Sequence, residues 1–130
     1  MTAHKNLIDE FLDSIDIPPD IICLSETKLN SQSNIDDISI EGYHFFQNNA
    51  TSLFGGTALY VSKTLFCKQR KDLEINIPGE VEASVIELLQ PKKSSKGGKQ
   101  PKTFVASIYR HPHNNHDDFF SNFNRKTMQN

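Results

Sequence analysis

The chain has no tryptophan, two cysteines and no excess of either charge sign: 14 Lys and Arg stand against 16 Asp and Glu in 130 residues. So even a balance gives no electrostatic argument for a nucleic-acid or membrane partner. Cys23 and Cys67 lie in apolar stretches. They read as buried small hydrophobes of a reduced compartment, and nothing supports a disulfide between them. The N-terminus carries no apolar signal-peptide core. No apolar run approaches the roughly 20 residues that a membrane span needs. These absences predict a soluble intracellular chain with no membrane partner. Several chemistries are missing as motifs: there is no G-x-S-x-G, C-x-x-C or H-E-x-x-H.

A chain of this length is one domain at most, able to bury roughly two-thirds of its unfolded surface. Residues 4–15, "HKNLIDEFLDSI", place Leu7, Ile8, Phe11, Leu12 and Ile15 at helical spacing on one face. Pro18 and Pro19 then end the helix. The apolar run "IICLS" predicts a strand covered on both faces. Residues 27–41 are polar and read as an irregular connection. Strands are expected at 43–47, 57–62, 65–70, 83–89 and 103–110, with a turn at Pro78-Gly79. "NNHDDFFSNFNRKTM" reads as a second helix, with Asn115 as N-cap and Asp117 and Asp118 in its first turn. The whole pattern is that of an α/β sandwich.

Residues 90–102, "QPKKSSKGGKQPK", hold five lysines, two glycines and two prolines. This composition suits a solvated flexible hairpin loop. Its lysines, among them Lys92, Lys93, Lys96 and Lys99, could instead contact phosphates.

Four places could carry chemistry. Glu26 follows a strand directly, and a strand's C-terminal end is a rigid place to fix a metal ligand; equally, the strand has simply reached water. Magnesium takes oxygen ligands and uses only one or two carboxylates. Tyr109 and Arg110 end a strand, where a hydroxyl can donate to a phosphate and a guanidinium can clamp one. An amphipathic tyrosine wetting its tip explains the same pattern. The two glycines of "FGGTALYV" mark a tight entry to the strand or a close backbone approach, but they open no helix and lack the Gly-Lys-Ser/Thr ending of a phosphate loop. His111, His113 and His116 follow no familiar zinc spacing and read as a polar loop.

In order, "PDIICLSETKL", "GYHFF", "FGGTALYVSK", "VEASVIEL" and "TFVASIYRHP" resemble the endonuclease/exonuclease/phosphatase superfamily over residues 5–123. The likeness is greatest to the apurinic-endonuclease-like nuclease domain of non-LTR retrotransposons. It implies a four-layer α/β sandwich, two packed β-sheets flanked by helices, and Mg²⁺-dependent cleavage of a phosphodiester. It also implies DNA as partner, fusion to a reverse transcriptase in the full-length protein, and a nuclear setting. By this resemblance Glu26 is a magnesium ligand and the catalytic Tyr109 contacts the scissile phosphate. Lys28 and Arg110 become phosphate or DNA contacts. Glu82 matches a recurrent acidic position with no assigned role.

The chain also departs from that pattern. The family's opening strand with its Asn, its G-D-x-N and its S-D-H are not among these residues, and His111 replaces a proline common in "YRPP". Hydrolysis needs a metal, a base or positioned water, and donors on the phosphate. Glu26 and Tyr109 supply parts of the first and third. The expectation is therefore a single partial domain over 1–130, inactive and marginally stable by itself. Two alternatives stand beside it: a non-catalytic nucleic-acid or protein binding module, and a phosphatase branch of the superfamily.

Overall fold

The computed structural model describes residues 2–29, 32–49, 55–90, 100–112 and 124–125. Among them are one α-helix, α1 (Thr2–Ser14), and seven strands. The strands are β1 (Ile21–Ser25), β2 (Tyr43–Asn48), β3 (Thr57–Ser62), β4 (Cys67–Gln69), β5 (Ile75–Ile77), β6 (Val81–Leu88) and β7 (Thr103–Arg110). They form two sheets. Sheet A runs β1-β3-β2, and in sheet B β6 pairs with β4, β5 and β7. Every pairing is antiparallel. Two antiparallel sheets and one helix make an incomplete α/β sandwich, the expected fold class. The proposed second helix and the lysine-rich run 91–99 lie outside the described residues, apart from a helical pair at 124–125.

Strand alternation builds the interior. Successive side chains point to opposite faces, so one face of β3 and one face of β6 can meet. The meeting side chains change character along the strands. At one end, Leu59, Val61 and Ile86 are fully buried, with Ile21, Phe46, Leu65, Cys67, Leu88 and Val105 packed around them. One or two residues along each strand, the interior turns polar. Asn48 donates from Nδ2 to the carbonyls of Ile75 (3.1 Å) and Ala83 (2.9 Å). The Thr57 and Ser84 hydroxyls share a 2.7 Å bond, and Ser107 Oγ donates to Leu24 O at 2.7 Å. These bonds run from sheet A to sheet B. They fix register as well as distance, because a one-residue slip would face each polar group with an apolar one. The outer face of sheet B has its own cluster of Ile75, Val81 and Ala83.

The outer face of sheet A is closed by Tyr60, whose hydroxyl donates to Ile38 O at 2.5 Å from the segment after β1. Burial, and secondarily the charge of Asp9 on α1, pushes this phenol up to about 12. Asp9, Leu12 and Asp13 of the helix line a groove together with Ile40, Tyr43 and Ser62, which places α1 beside this face.

Three expectations need correction. β1 is not a strand covered on both faces. It lies at the edge of sheet A, antiparallel to β3, with Cys23 and Ser25 exposed. A short apolar run reads the same whether one neighbour or two will flank it. For the same reason Cys23 is exposed rather than buried; Cys67 is partly buried, and both thiols are free. The helical face is only partly covered: Leu7 and Phe11 remain 63% and 57% exposed. They border a groove of about 530 Å³ along β1. The short strand β5 was also not expected; its three residues pair with Val81, Glu82 and Ala83.

Candidate functional site

The polar end of the sandwich gathers three of the sequence motifs. β1 delivers Glu26 and Lys28, the segment before β3 delivers Gly55 and Gly56, and paired β6 and β7 deliver Glu82 and Tyr109. Glu82 and Tyr109 are direct cross-strand partners, so their side chains share the inward face.

The turn after β1 has an unusual backbone. Glu26 (φ 55°) and Lys28 (φ 58°) are the non-glycine residues with positive φ among the described residues. Such conformations cost about 1–3 kcal/mol each and persist only where the surroundings impose them. Here the neighbouring segment does so. The Thr27 N–H donates to Gly56 O at 3.2 Å, and the Lys28 N–H donates to Gly55 O at 2.9 Å. Thr27 is buried, while Glu26 and Lys28 on either side are exposed. The result is a carboxylate facing water on a backbone held by hydrogen bonds.

Beneath this turn lies Glu82, with no exposed surface. Its Oε2 accepts the Gly56 N–H at 2.7 Å. A Cβ at Gly55 would overlap that oxygen and lie 2.9 Å from the carboxyl carbon. Gly55 (φ 106°) and Gly56 (φ 87°) also adopt a conformation that side chains disfavour. Of the two readings of the double glycine in "FGGTALYV", the structure shows the close backbone approach, and the approaching group is a carboxylate. His111 Nε2 lies 3.8 Å from Glu82 Oε2, beyond hydrogen-bond distance, and is itself buried without a hydrogen-bond partner. The imidazole also stands edge-on to Tyr109, with centroids 4.9 Å apart. The His111 N–H donates to Glu80 O at 2.8 Å, which carries the register of β6 and β7 one step past the strand. Tyr109 is partly buried. Desolvation, and then the charges of Glu26 and Glu82, raise its phenol above the ordinary tyrosine value.

Of the expected site residues, Glu26, Lys28 and Tyr109 come to this end of the sandwich. Arg110 does not join Tyr109: it pairs with Val81, and strand alternation turns it to the opposite face of sheet B. Adjacent residues of a strand cannot both point into one site. Residues 113 and 116 of the histidine run lie outside the described residues; His111 is drawn to Glu82 and Tyr109. Glu82 and His111 complete the cluster, and the sequence signal for Glu82 was an acidic residue just ahead of the strand expected at 83–89.

The exposed Glu26 carboxylate offers hard oxygen donors, the type that Mg²⁺ takes while keeping waters for the rest of its shell. The described residues contain no group of three or more His, Cys, Asp and Glu side chains arranged to hold a metal by themselves. None of their helices is long and apolar enough to cross a membrane.

No curated protein and no solved structure matches the chain. A family model does, over residues 1–119, a span that contains both sheets and every residue of the cluster. Taken with the two-sheet fold, this match shows that the chain belongs to the endonuclease/exonuclease/phosphatase family, whose members are hydrolases of nuclease or phosphatase type and generally depend on a divalent metal.

Proposed function

We propose that this domain is of the retroelement endonuclease type, acting on DNA phosphodiesters, with Glu26 as a magnesium ligand and Tyr109 as a phosphate contact. The observation that carries the reading is the Glu26 turn. A solvent-facing carboxylate stands on a left-handed, hydrogen-bonded backbone, close enough to Tyr109 for its charge to act on the phenol. Strained backbone at a strand end is a common mark of a functional position.

When bound there, magnesium would supply Lewis-acid stabilisation of charge on a phosphoryl oxygen. The residues of the chain do the rest. Tyr109 keeps its proton at neutral pH and can donate its O–H to a phosphate oxygen. His111 packs against the Tyr109 ring and restricts its swing. Lys28, exposed two residues from Glu26, offers positive charge to a backbone phosphate. Arg110, on the other face of sheet B, serves at most a more distant phosphate. No residue of the cluster is placed as the base for an attacking water. The expected activity of these residues alone is therefore low, and by the retroelement likeness the expected fused partner is a reverse transcriptase.

A supercoiled-plasmid nicking assay with Mg²⁺, run beside amide-resolved NMR titration, tests both parts. The expected result is Mg²⁺-dependent shifts at Glu26, Thr27 and Lys28 that Glu26→Ala abolishes, with slow or no nicking. Efficient nicking lost in Glu26→Ala would overturn the claim of low activity. Absence of shifts at the turn would overturn the metal assignment.

A further inference from the structure

Glu82 is a carboxylate with no exposed surface on a central strand. On the same inward face of this strand Ser84 is also buried, and Thr57 lies opposite it, so the carboxylate sits in the polar part of the interior. Burying a carboxylate is costly unless its oxygens are hydrogen-bonded. One partner is a backbone group: Gly56 N–H donates to Oε2 at 2.7 Å. The next carbonyls in that segment, of Gly55 and Gly56, accept from Lys28 and Thr27. The connection thus runs from Glu82 through the double glycine to the two amides that follow Glu26.

Two further features fit that connection. Gly55 leaves the space that the carboxylate fills, and any Cβ there would displace it. Glu26 and Lys28, on either side of Thr27, have the left-handed backbone that only an imposed set of hydrogen bonds maintains. Glu82 faces the interior with no exposed surface, and its Oε2 accepts from a backbone donor, so it suits holding the turn better than meeting a substrate.

We infer that Glu82 is the positioning residue for Glu26: by accepting the Gly56 N–H it anchors the double glycine, and the double glycine holds the Glu26 turn in its left-handed form. This rests on reading Glu26 as the metal ligand, and it deepens that reading by naming what orients the ligand. Groups that orient a first ligand typically govern affinity by about 10–100-fold.

Two conservative variants separate the acceptor from the charge. Glu82→Gln keeps an oxygen at full reach and removes the charge. Glu82→Asp keeps the charge and withdraws the oxygen by one methylene. Amide hydrogen exchange is read at Thr27 and Lys28, against Leu59 and Val61 in β3 as reporters of the sheet. Mn²⁺ affinity is read from paramagnetic broadening at the Glu26 turn. Glu82→Asp is expected to lose about tenfold or more of the Thr27 and Lys28 protection, beyond any loss at Leu59 and Val61, and to weaken Mn²⁺ by about tenfold. Glu82→Gln is expected to retain both. Glu87→Ala, which removes another buried carboxylate of the same strand away from the turn, is expected to change neither. Equal loss at the turn and in β3, or protection retained in Glu82→Asp, overturns the inference. Wild-type protein without Mn²⁺ broadening at the turn overturns the metal reading of Glu26; the exchange comparison, which needs no metal, then still decides the role of Glu82.

Discussion

Replacing Asn48 tests the polar half of the sandwich. Its amide is 5% exposed and its Nδ2 donates to two buried carbonyls of sheet B, on Ile75 and Ala83. Asn48→Ala removes both donors and leaves the oxygens without them. An orphaned buried acceptor costs about 1–3 kcal/mol, so the pair should cost about 2–6 kcal/mol. That is a large share of the roughly 5–15 kcal/mol that holds a domain folded. Asn48→Asp at neutral pH should be worse, because carboxylate oxygens then face carbonyl oxygens. With no tryptophan in the chain, far-UV circular dichroism in urea is the suitable assay. A slope of about 2 kcal/mol per M makes the expected Asn48→Ala shift about 1–3 M in midpoint. The pH response fixes the sign. Burial beside two acceptors favours the protonated form of the introduced carboxyl in the folded state, so its folded pKa lies above its unfolded one. The stability of the Asn48→Asp variant is then greatest below the unfolded value and falls as pH rises through the folded one. Asn48→Asp at pH 7 as stable as Asn48→Ala would refute the reasoning, since the amide would then not be the donor that joins the sheets.

Other outcomes follow from the same structure. Ile86→Ala, at a fully buried centre of the apolar cluster, should cost about 2–5 kcal/mol in a urea melt; Phe66→Ala, at a side chain 79% exposed, should stay within about 0.5 kcal/mol. Hydrogen bonds from Arg70 hold the Asp72 carboxyl down at about 2. That contribution is fully present above the ordinary carboxylate range and is lost as pH falls through about 2, which a carbon-detected NMR titration reads as a midpoint of about 2. Tyr60, pushed up to about 12, should resist ionisation in a 295 nm alkaline titration. Because the unfolded phenol ionises first, stability present below about 10 declines as pH rises towards 12, and Tyr60→Phe should flatten that decline.

Much of the strand order is legible in the sequence because it rests on local pattern. The runs 57–62 and 103–110 coincide with β3 and β7, since each is an apolar, β-branched segment bounded by turn residues. The three residues of β5 are not legible; so short a segment becomes a strand only through its partner, β6. The position of β1 escapes the sequence on the same ground: Cys23 is exposed because of where the strand lies in sheet A, not because of its neighbours in sequence.

The site divides similarly. Glu26, Tyr109 and the double glycine can be named from residue type, order and family likeness, all properties of the linear chain. That Tyr109 faces inward while Arg110 faces outward depends on the register of β6 against β7. That Glu82 meets Gly56 across a sequence separation of 26 residues depends on how the two sheets pack. Local propensity and composition decide where the longer strands form. Which carboxylate faces water, and which lies buried to hold the turn beneath it, is decided only when distant backbone groups must find hydrogen-bond partners in the packed interior.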